Sequence, residues 1–381
     1  MKKILILTRT LSRGGVPNAL VSFLQYVDIT DCKITIGIEI NEADLKDKID
    51  SKIEVIPYND LLKSNLFSKL MQVRDNISKN KFLYVVWKFL NVIEKIHKKR
   101  NIQRLFGKNI YDSAIAFHQG NATKYISKYI KSNKKIYFYH AERIMPDCRE
   151  KYFLNGDYIV CSSIGVMNLI KSKWKRIDEQ KIKLCHYVVD YKTIREKASE
   201  PVDLIKKPLS LITVGRLVDD KGYDLLIETA LILKKTGLDF IWNVLGDGPL
   251  MDKMKELIEN DQLKDNVKLF GAISNPYKYM KNSDILVSTS RNEAFGLVIS
   301  EAQIIGKTVV ATKTSGSIEQ VVDGISGYLV NYNSNDLADI ICLLFNNKNK
   351  MKMIETNLSK KDYNEYNKKC AECFERLTFL K

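Results

Sequence analysis

The fold is decided by the segment Ser288-Thr-Ser-Arg-Asn-Glu-Ala-Phe-Gly-Leu-Val-Ile-Ser-Glu301-Ala-Gln-Ile-Ile-Gly-Lys307. Its pattern predicts a strand that ends near Ser290, a short glycine-containing turn, and a helix that begins near Gly296. The first N–H groups of a helix have no partner within the helix, and the helix dipole favours an anion beside them. We therefore expect a diphosphate to bind the amides of four successive residues: Phe295, Gly296, Leu297 and Val298.

Two carboxylates flank this turn. Glu293 comes just before it and can accept hydrogen bonds from sugar hydroxyls, although a glutamate at such a position, taken alone, is more often a capping or surface residue. Glu301 follows about two helical turns later, so both carboxylates are expected on one side of the element. The surrounding pattern favours a binding role for the pair.

A second strand-to-helix loop carries two cations. Arg216 and Lys221 lie on either side of the loop that follows Val214, where both can reach one phosphate group. A planar guanidinium and a compact ammonium suit a diphosphate leaving group, whose charge a glycosyl transfer must neutralise. Taken alone, they are equally compatible with solvated side chains. A third turn, at Gly246, would let the backbone approach a ligand, and an ordinary tight turn fits there equally well.

Outward from these loops, apolar runs alternate with amphipathic segments of helical period, which is typical of parallel α/β sheets. Strands are predicted at Ile4–Thr8, Ile34–Ile38, Ile53–Ile56, Ser113–Phe117, Lys135–Tyr139, Tyr158–Cys161, Ser210–Val214, Phe240–Leu245, Val267–Phe270, Ile285–Ser288, Thr308–Ala311 and Gly327–Val330. Ligands are expected at the carboxyl ends of such strands.

The chain of 381 residues is long enough for two domains. We predict an N-terminal domain over 1–195 and a C-terminal domain over 209–360, with a polar linker over 191–208. A C-terminal helix over 361–381 could pack back on the first domain. Two such domains would leave a central cleft for two substrates.

The positive charge is confined to the first half of the chain. The net charge is +16, and residues 1–200 carry 37 basic and 21 acidic side chains, whereas residues 201–381 carry 24 of each. Residues 61–110 alone hold 12 basic and 2 acidic side chains. Such a field attracts nucleic acid, anionic lipid headgroups or phosphorylated substrates.

Residues 81–104 are predicted to form one helix. Lys81, Lys88 and Lys95 share one stripe, and another face is apolar: Phe82, Val85, Phe89, Val92, Ile93 and Ile96. Two interpretations stay open. The apolar face could pack in the core beneath a solvated lysine stripe, or the helix could lie on a membrane surface with its lysines toward the headgroups.

Several classes of protein find no support. No stretch reaches the roughly 20 apolar residues that a membrane span needs, and the first apolar run is too short for a signal peptide. The seven cysteines form no paired framework, and the close pair Cys370 and Cys373 lacks a second pair for zinc. Arg13-Gly14-Gly15-Val16-Pro17 does not fit the dinucleotide fingerprint, and no nucleic-acid-binding module is present. We expect a reduced cytosolic protein that binds no nucleic acid.

These motifs resemble family 4 of the glycosyltransferases over nearly all of residues 209–331: Gly215-Arg216 with Lys221-Gly222, Leu245-Gly246-Asp247-Gly248-Pro249-Leu250, Asn275-Pro276-Tyr277, and Glu293 with Glu301. The resemblance implies a GT-B fold of two doubly wound Rossmann-like domains, the first acceptor-binding and membrane-facing and the second nucleotide-sugar-binding. It further implies a retaining mechanism, no cofactor and no obligatory metal ion. The chain has no Asp-x-Asp pair, the usual metal signature of the other major transferase fold, which agrees with the last point.

The resemblance also implies roles for individual residues. Arg216 and Lys221 are expected to bind the diphosphate, with Gly215 and Gly246 beside them. Glu293 is expected to bind the transferred sugar and Glu301 the ribose. In one departure from the family, Ala294 replaces the first glycine of Gly-Phe-Pro or Gly-Phe-Gly, which slightly restricts the turn.

The first half resembles the family more loosely. Gly14-Gly15 follows the first strand, His140 follows the strand that ends at Tyr139, and Val188-Val189-Asp190 precedes the linker. The resemblance implies that Gly15 contributes to the donor site and that His140 is catalytic, near the transferred sugar. A histidine at a strand end is otherwise more often structural, and His118 is a second candidate.

We therefore expect a retaining transferase that moves a hexose or N-acetylhexosamine from a nucleotide diphosphate sugar, a UDP-sugar, to a lipid-linked saccharide. The setting implied by the resemblance is the assembly of capsule, exopolysaccharide or O-antigen. The enzyme would act at an anionic membrane surface, on the cytoplasmic side of the plasma membrane. The alternative is a non-catalytic GT-B partner subunit or sugar-binding module.

Overall fold

A computed structural model describes residues 1–12, 14–59, 81–205 and 207–379, with no account of the side chains of 81–90. The chain divides into two units. The first comprises Met1–Ser162, Val166–Val188 and Asn367–Lys381, and the second comprises Ser163–Gly165 and Val189–Tyr366.

The first unit is built on a seven-stranded parallel sheet with the order β3-β2-β1-β4-β5-β6-β7. Its strands are β1 Lys2–Thr8, β2 Cys32–Ile38, β3 Glu54–Pro57, β4 Ile110–Ala116, β5 Lys131–Tyr139, β6 Tyr158–Cys161 and β7 Ile182–Leu184. The helices that run between these strands are α1 Gly15–Tyr26, α2 Lys81–Leu105, α3 Asn121–Tyr129 and α4 Ile164–Lys173.

The second unit is built on a six-stranded parallel sheet with the order β10-β9-β8-β11-β12-β13. Its strands are β8 Leu209–Val214, β9 Phe240–Leu245, β10 Val267–Gly271, β11 Ile285–Ser288, β12 Thr308–Thr312 and β13 Tyr328–Val330. Its helices are α5 Tyr191–Ala198, α6 Tyr223–Lys235, α7 Met251–Asn260, α8 Tyr277–Lys281, α9 Leu297–Ile304, α10 Ser315–Gln320, α11 Ser334–Asn346 and α12 Lys348–Ser359. Helix α13 Tyr363–Thr378 begins in this unit and ends in the first.

The core of the second unit lies on both faces of its sheet. Ile285 and Val287 of β11 join one buried cluster, which helices α6 and α11 cover, and Leu286 joins the other, which α5 and α9 cover. A strand that is buried on both faces has a continuous apolar sequence. This explains why the six strands predicted for this half are confirmed.

The strand predictions for the first half are also confirmed, but β7 was missed. It is only three residues long and has Lys183 at its centre, so it forms no apolar run. The predicted linker over 191–208 was wrong in its first part, which forms α5. Asp190 caps this helix, and Ile194 and Ala198, four positions apart, are its buried side chains.

The predicted helix over 81–104 is confirmed, but its described part does not pack through the apolar face. Val92, Ile93 and Ile96 are 51%, 38% and 47% exposed. The buried side chains include Glu94 and Lys98 instead. The core-packed interpretation is therefore wrong for Val92, Ile93 and Ile96, whereas Ile102 of the same helix is buried. Ion pairs also hold this stretch against the unit. The Lys98 Nζ atom lies 2.6 Å from a carboxylate oxygen of Glu39 and 2.7 Å from one of Glu94.

Candidate active site

The candidate site lies where the strand order of the second sheet reverses. Strands β8 and β11 are neighbours there, although β9 and β10 come between them in the sequence. Open α/β sheets bind ligands at this kind of switch point, beyond the carboxyl ends of the strands. Two loops begin at this edge, residues 215–222 after β8 and residues 289–296 after β11.

Glycine allows these loops to approach their neighbours closely. Gly246, after β9, has a φ of 148°, and a Cβ atom there would lie 1.8 Å from the carbonyl oxygen of Gly215. Gly222 has a φ of 63°, and a Cβ atom there would lie 2.1 Å from the carbonyl oxygen of Thr289. Any other residue at either position would both strain the backbone and push the loops apart.

The two loops are joined by an ion pair between two predicted site residues. The Lys221 ammonium contacts the Glu293 carboxylate, and their side chains are 23% and 17% exposed. The Ser290 hydroxyl donates to the same carboxylate at 3.5 Å, and the Thr289 hydroxyl donates to the Lys221 carbonyl oxygen at 2.9 Å. Arg216 is exposed, and its guanidinium has no ion pair with any residue that the structure describes. Of these two cations, Lys221 is therefore paired with a carboxylate, and Arg216 is accessible to a ligand.

Helix α9 directs its N-terminus toward the same edge. It begins at Leu297 after Gly296, which is left-handed with a φ of 83° and provides no side-chain cap. The Gln320 amide holds the turn from behind by donating to the Phe295 carbonyl oxygen and, at 3.3 Å, to that of Gly296. Ser300 donates to the other end of this amide. The turn is therefore fixed while the first amides of the helix are left without a side-chain cap.

The departure from the family at Ala294 causes no strain. Gln262 is the only non-glycine residue with a positive φ among those described, so the backbone at Ala294 suits an alanine.

Val298 lines a small pocket together with Lys221 and Ser290.

Glu301 lies on α9 in a protected environment. Burial raises the pKa of its carboxyl group to about 7, and a hydrogen bond from the Tyr277 hydroxyl, at 3.2 Å, partly opposes that rise. Helix α9 begins at Leu297, so Glu293 lies outside it. The prediction that helical spacing places Glu293 and Glu301 on one side of the element was therefore wrong. The two carboxylates have different partners.

Two predicted site residues lie in the first unit. Gly15 is the exposed first residue of α1, and His140 follows β5. The Nε2 atom of His140 lies 2.5 Å from the Phe117 carbonyl oxygen, so Nε2 carries the proton, and Nδ1 accepts from the Tyr187 hydroxyl. Burial lowers the pKa of His140 to about 3, which keeps the ring neutral. Burial also lowers the pKa of His118.

Two features are absent from the part of the chain that the structure describes. There, no group of three histidine, cysteine, aspartate or glutamate side chains could hold a metal ion. No helix in that part is long and apolar enough to cross a membrane.

Known proteins resemble part of the chain in sequence. Residues 194–361 match the family model of group 1 glycosyl transferases. A poly(ribitol-phosphate) alpha-N-acetylglucosaminyltransferase of Staphylococcus aureus is 38% identical over 136 residues, which is 35% of this chain and 28% of that protein. A Campylobacter jejuni N-acetylgalactosamine-N,N'-diacetylbacillosaminyl-diphospho-undecaprenol 4-alpha-N-acetylgalactosaminyltransferase is 32% identical over 176 residues, 46% of this chain and 47% of that one. The chain thus spans less than half the length of either relative.

Solved structures resemble the whole chain. Staphylococcus aureus TarM superposes with a TM-score of 0.73 at 17% identity, covering 99% of this chain and 98% of that one. Anabaena HepE, solved in complex with UDP-glucose, gives a TM-score of 0.69 at 20% identity, covering 99% and 100%. The chain therefore has the α/β fold of the GT-B glycosyltransferases, with two Rossmann-like domains, as predicted.

Proposed function

We propose that the protein is a glycosyltransferase that takes its sugar from a nucleotide diphosphate donor bound to the second unit. One observation carries the proposal: Lys221 and Glu293 meet at the switch point, beside the N-terminus of α9. A cation and a carboxylate so placed suit the two parts of a sugar nucleotide, the anionic diphosphate and the hydroxyl-rich sugar. The family match over residues 194–361 supports the same function.

The arrangement accounts for stabilisation of the leaving group. As the bond to the sugar breaks, negative charge develops on the diphosphate. Lys221 would exchange the Glu293 carboxylate for a phosphate oxygen, and the exposed Arg216 would add a second cation. The uncapped amides at the start of α9 add the positive end of the helix dipole. These groups can neutralise the charge by themselves, so we propose transfer that needs no metal ion and no cofactor.

Glu293 and Glu301 would bind the remaining parts of the donor. Once Lys221 has turned to the phosphate, Glu293 can accept hydrogen bonds from the sugar hydroxyls, and Glu301 can accept from the ribose. We propose retention of the anomeric configuration, which the family resemblance implies. His140 stays a predicted catalytic residue. To contact the sugar, its Nε2 atom would have to break the hydrogen bond to the Phe117 carbonyl oxygen, or its Nδ1 atom the hydrogen bond from the Tyr187 hydroxyl.

The proposed donor is a UDP-sugar that carries a hexose or an N-acetylhexosamine, and the proposed acceptor is a lipid-linked saccharide. HepE was solved with UDP-glucose, and the Campylobacter relative is named for a diphospho-undecaprenol acceptor. We infer a place in the assembly of a surface polysaccharide, such as capsule, exopolysaccharide or O-antigen.

Helix α2 supports a membrane-surface location for the first unit. Its exposed Val92, Ile93 and Ile96 lie beside the exposed Lys95 and Lys99. The side chains of Lys81 and Lys88, also predicted to face the headgroups, lie outside the described residues. Each basic residue at an anionic leaflet contributes about 1 kcal/mol, so four to six give roughly 4–6 kcal/mol. We propose peripheral attachment to the cytoplasmic face of the plasma membrane.

Vesicle sedimentation tests this location. The protein should sediment with anionic vesicles at low salt and be released at about 1 M salt, where the screening length is roughly 3 Å. Changing Val92, Ile93 and Ile96 together to serine should weaken sedimentation, because the apolar contribution is lost. Changing Lys81, Lys88 and Lys95 together to glutamate should weaken it further.

The matched control reverses three exposed lysines of the second unit, Lys253, Lys352 and Lys360, to glutamate. This variant makes the same change in net charge but should sediment nearly as the unaltered protein does. Equal loss of sedimentation in both lysine variants would show that net charge alone acts. Unchanged sedimentation of the serine variant would show that the apolar face of α2 does not touch the vesicle.

A panel of UDP-, GDP- and ADP-sugars tests the transferase assignment. A donor at 100 times its dissociation constant adds about 2.7 kcal/mol to the free energy of unfolding, which a thermal-shift assay detects. We expect stabilisation by UDP-sugars and slow release of UDP. Stabilisation without any release, even with lipid-linked acceptors, would favour the non-catalytic alternative. No stabilisation by any sugar nucleotide would contradict the proposal.

A further inference from the structure

Two thiols meet in the first unit. Cys185 directly follows β7, and Cys373 lies on α13. The Cys373 sulfur lies 3.4 Å from the carbonyl oxygen of Leu184, and the Cys185 sulfur lies 3.8 Å from that of Cys370. Each sulfur therefore contacts the backbone of the other's segment, and the two side chains share a hydrogen bond.

The surroundings give the two sulfurs different properties. The neighbouring Cys185 thiol lowers the pKa of Cys373 below the ordinary value of a thiol, and the nearby Arg376 lowers it further. The same hydrogen bond, together with burial, raises the pKa of Cys185. Cys373 is partly exposed and Cys185 is buried. A partly exposed thiol of lowered pKa beside a buried thiol is the arrangement found in redox-sensing cysteine pairs.

The environment differs at other cysteines of the chain. Burial raises the pKa in each of four cases: Cys32, Cys148, Cys161 and Cys342. Cys32 is the most useful comparison, because it lies in the same unit and is also partly exposed. Reactivity toward oxidants follows the thiolate form, so Cys373 should react well before Cys32.

We propose that Cys185 and Cys373 form a redox-modification site that closes to a disulfide when a peroxide is present. The Cys373 thiolate attacks one oxygen of hydrogen peroxide, the O–O bond breaks, and the hydroxide released takes up a proton to become water. The Cys185 sulfur then attacks the Cys373 sulfenic acid, an S–S bond forms, and a second water leaves with the Cys185 proton. Two thiols lose two electrons, and one peroxide becomes two waters.

The disulfide would join two elements that lie around His140. Cys185 is two residues from Tyr187, whose hydroxyl binds His140. The ring of Phe374, next to Cys373, lies 5.7 Å from that of Phe138, and the Phe138 ring lies 5.8 Å from the His140 ring. Oxidation would therefore fasten α13 to the segment that holds this histidine, and amide hydrogen exchange in α13 should slow.

Intact mass and peptide mapping test the site in the full chain. After brief exposure to hydrogen peroxide, the native protein should lose the mass of two hydrogen atoms and regain it with dithiothreitol. Proteolysis without reductant should yield one linked pair of peptides, containing Cys185 and Cys373. Alkylation at pH 7 should modify Cys373 at least about tenfold faster than Cys32 in the untreated protein.

Three serine variants separate the outcomes. Cys373→Ser should abolish the mass loss, and Cys185→Ser should leave a trappable sulfenic acid on Cys373. The control, Cys32→Ser, should behave as the unaltered protein does. Addition of oxygen atoms to Cys373 without linkage in the unaltered protein would overturn the proposal, and so would a link that persists in Cys373→Ser. Neither result depends on the proposed transferase activity.

Discussion

Replacing Glu301 by glutamine should stabilise the second unit at high pH and weaken nucleotide binding. Burial raises the pKa of this carboxyl group from its ordinary 4.5 to about 7. Between these two pH values the folded protein keeps a proton that the unfolded chain has released. The free energy of unfolding therefore falls as the pH rises through this window, and levels off above it.

The size of the effect follows from the two pKa values. At about 1.4 kcal/mol per pH unit, the rise corresponds to about 3 kcal/mol. Glutamine carries no charge and can still accept the hydrogen bond from Tyr277. Glu301→Gln should therefore be about 3 kcal/mol more stable than the unaltered protein near pH 8, and nearly equal to it near pH 4.

Calorimetric unfolding across this pH range measures the difference. Tyr277→Phe is the matched control, because it removes the hydrogen bond that favours the charged carboxylate and should shift the window to higher pH. A stability difference between Glu301→Gln and the unaltered protein that is the same at pH 4 and pH 8 would refute the reasoning.

The affinity for nucleotide should depend on pH in the opposite sense to the free energy of unfolding, and should rise with pH. The ribose hydroxyls need a charged acceptor, and a hydrogen bond to a charged group contributes about 1.5–3 kcal/mol. As the pH is lowered from 7, the affinity of the unaltered protein for UDP should therefore decrease. The decrease should reach about tenfold to a hundredfold when Glu301 is fully protonated. In Glu301→Gln the affinity should be low and independent of pH. Titration calorimetry at pH 6 and pH 8 measures both.

The other predictions concern the remaining donor contacts. Arg216→Ala and Lys221→Ala should each lower turnover by about 10²–10³-fold, measured as release of the nucleoside diphosphate, whereas the exposed control Lys253→Ala should not. Unaltered turnover in both loop variants would remove these residues from the site. Glu293→Gln should keep its affinity for UDP but lose sugar transfer, and an equal loss of UDP affinity would place Glu293 elsewhere. Activity should persist in excess chelator, and loss that magnesium or manganese restores would contradict metal independence.

The sequence was sufficient to predict the sheets, because their strands are buried on both faces. Phe240–Leu245 is buried throughout and apolar except at Asn243, and Gly246 follows it at the turn. The three residues of β7 carry no such signal. Helix α5 was missed because only Ile194 and Ala198 face the core, and the rest of it resembles a loop in composition.

The site could be predicted in its residue types but not in its contacts. Lys221 and Glu293 are far apart in the sequence, so their pairing depends on which strands are neighbours. The support that Gln320 gives to the turn has no sequence signal, because its partners are backbone oxygens of another element. In α2, periodicity shows two faces but does not tell which is buried. The buried face there contains the ion-paired Lys98 and Glu94 as well as the apolar Ile102.

A crystal structure with a bound UDP-sugar would test the central claim most directly. The diphosphate should lie between Arg216, Lys221 and the first amides of α9, with Lys221 moved from Glu293 to a phosphate oxygen and Glu293 on the sugar hydroxyls. A donor bound elsewhere, or a Lys221–Glu293 ion pair that survives with the donor in place, would contradict the account.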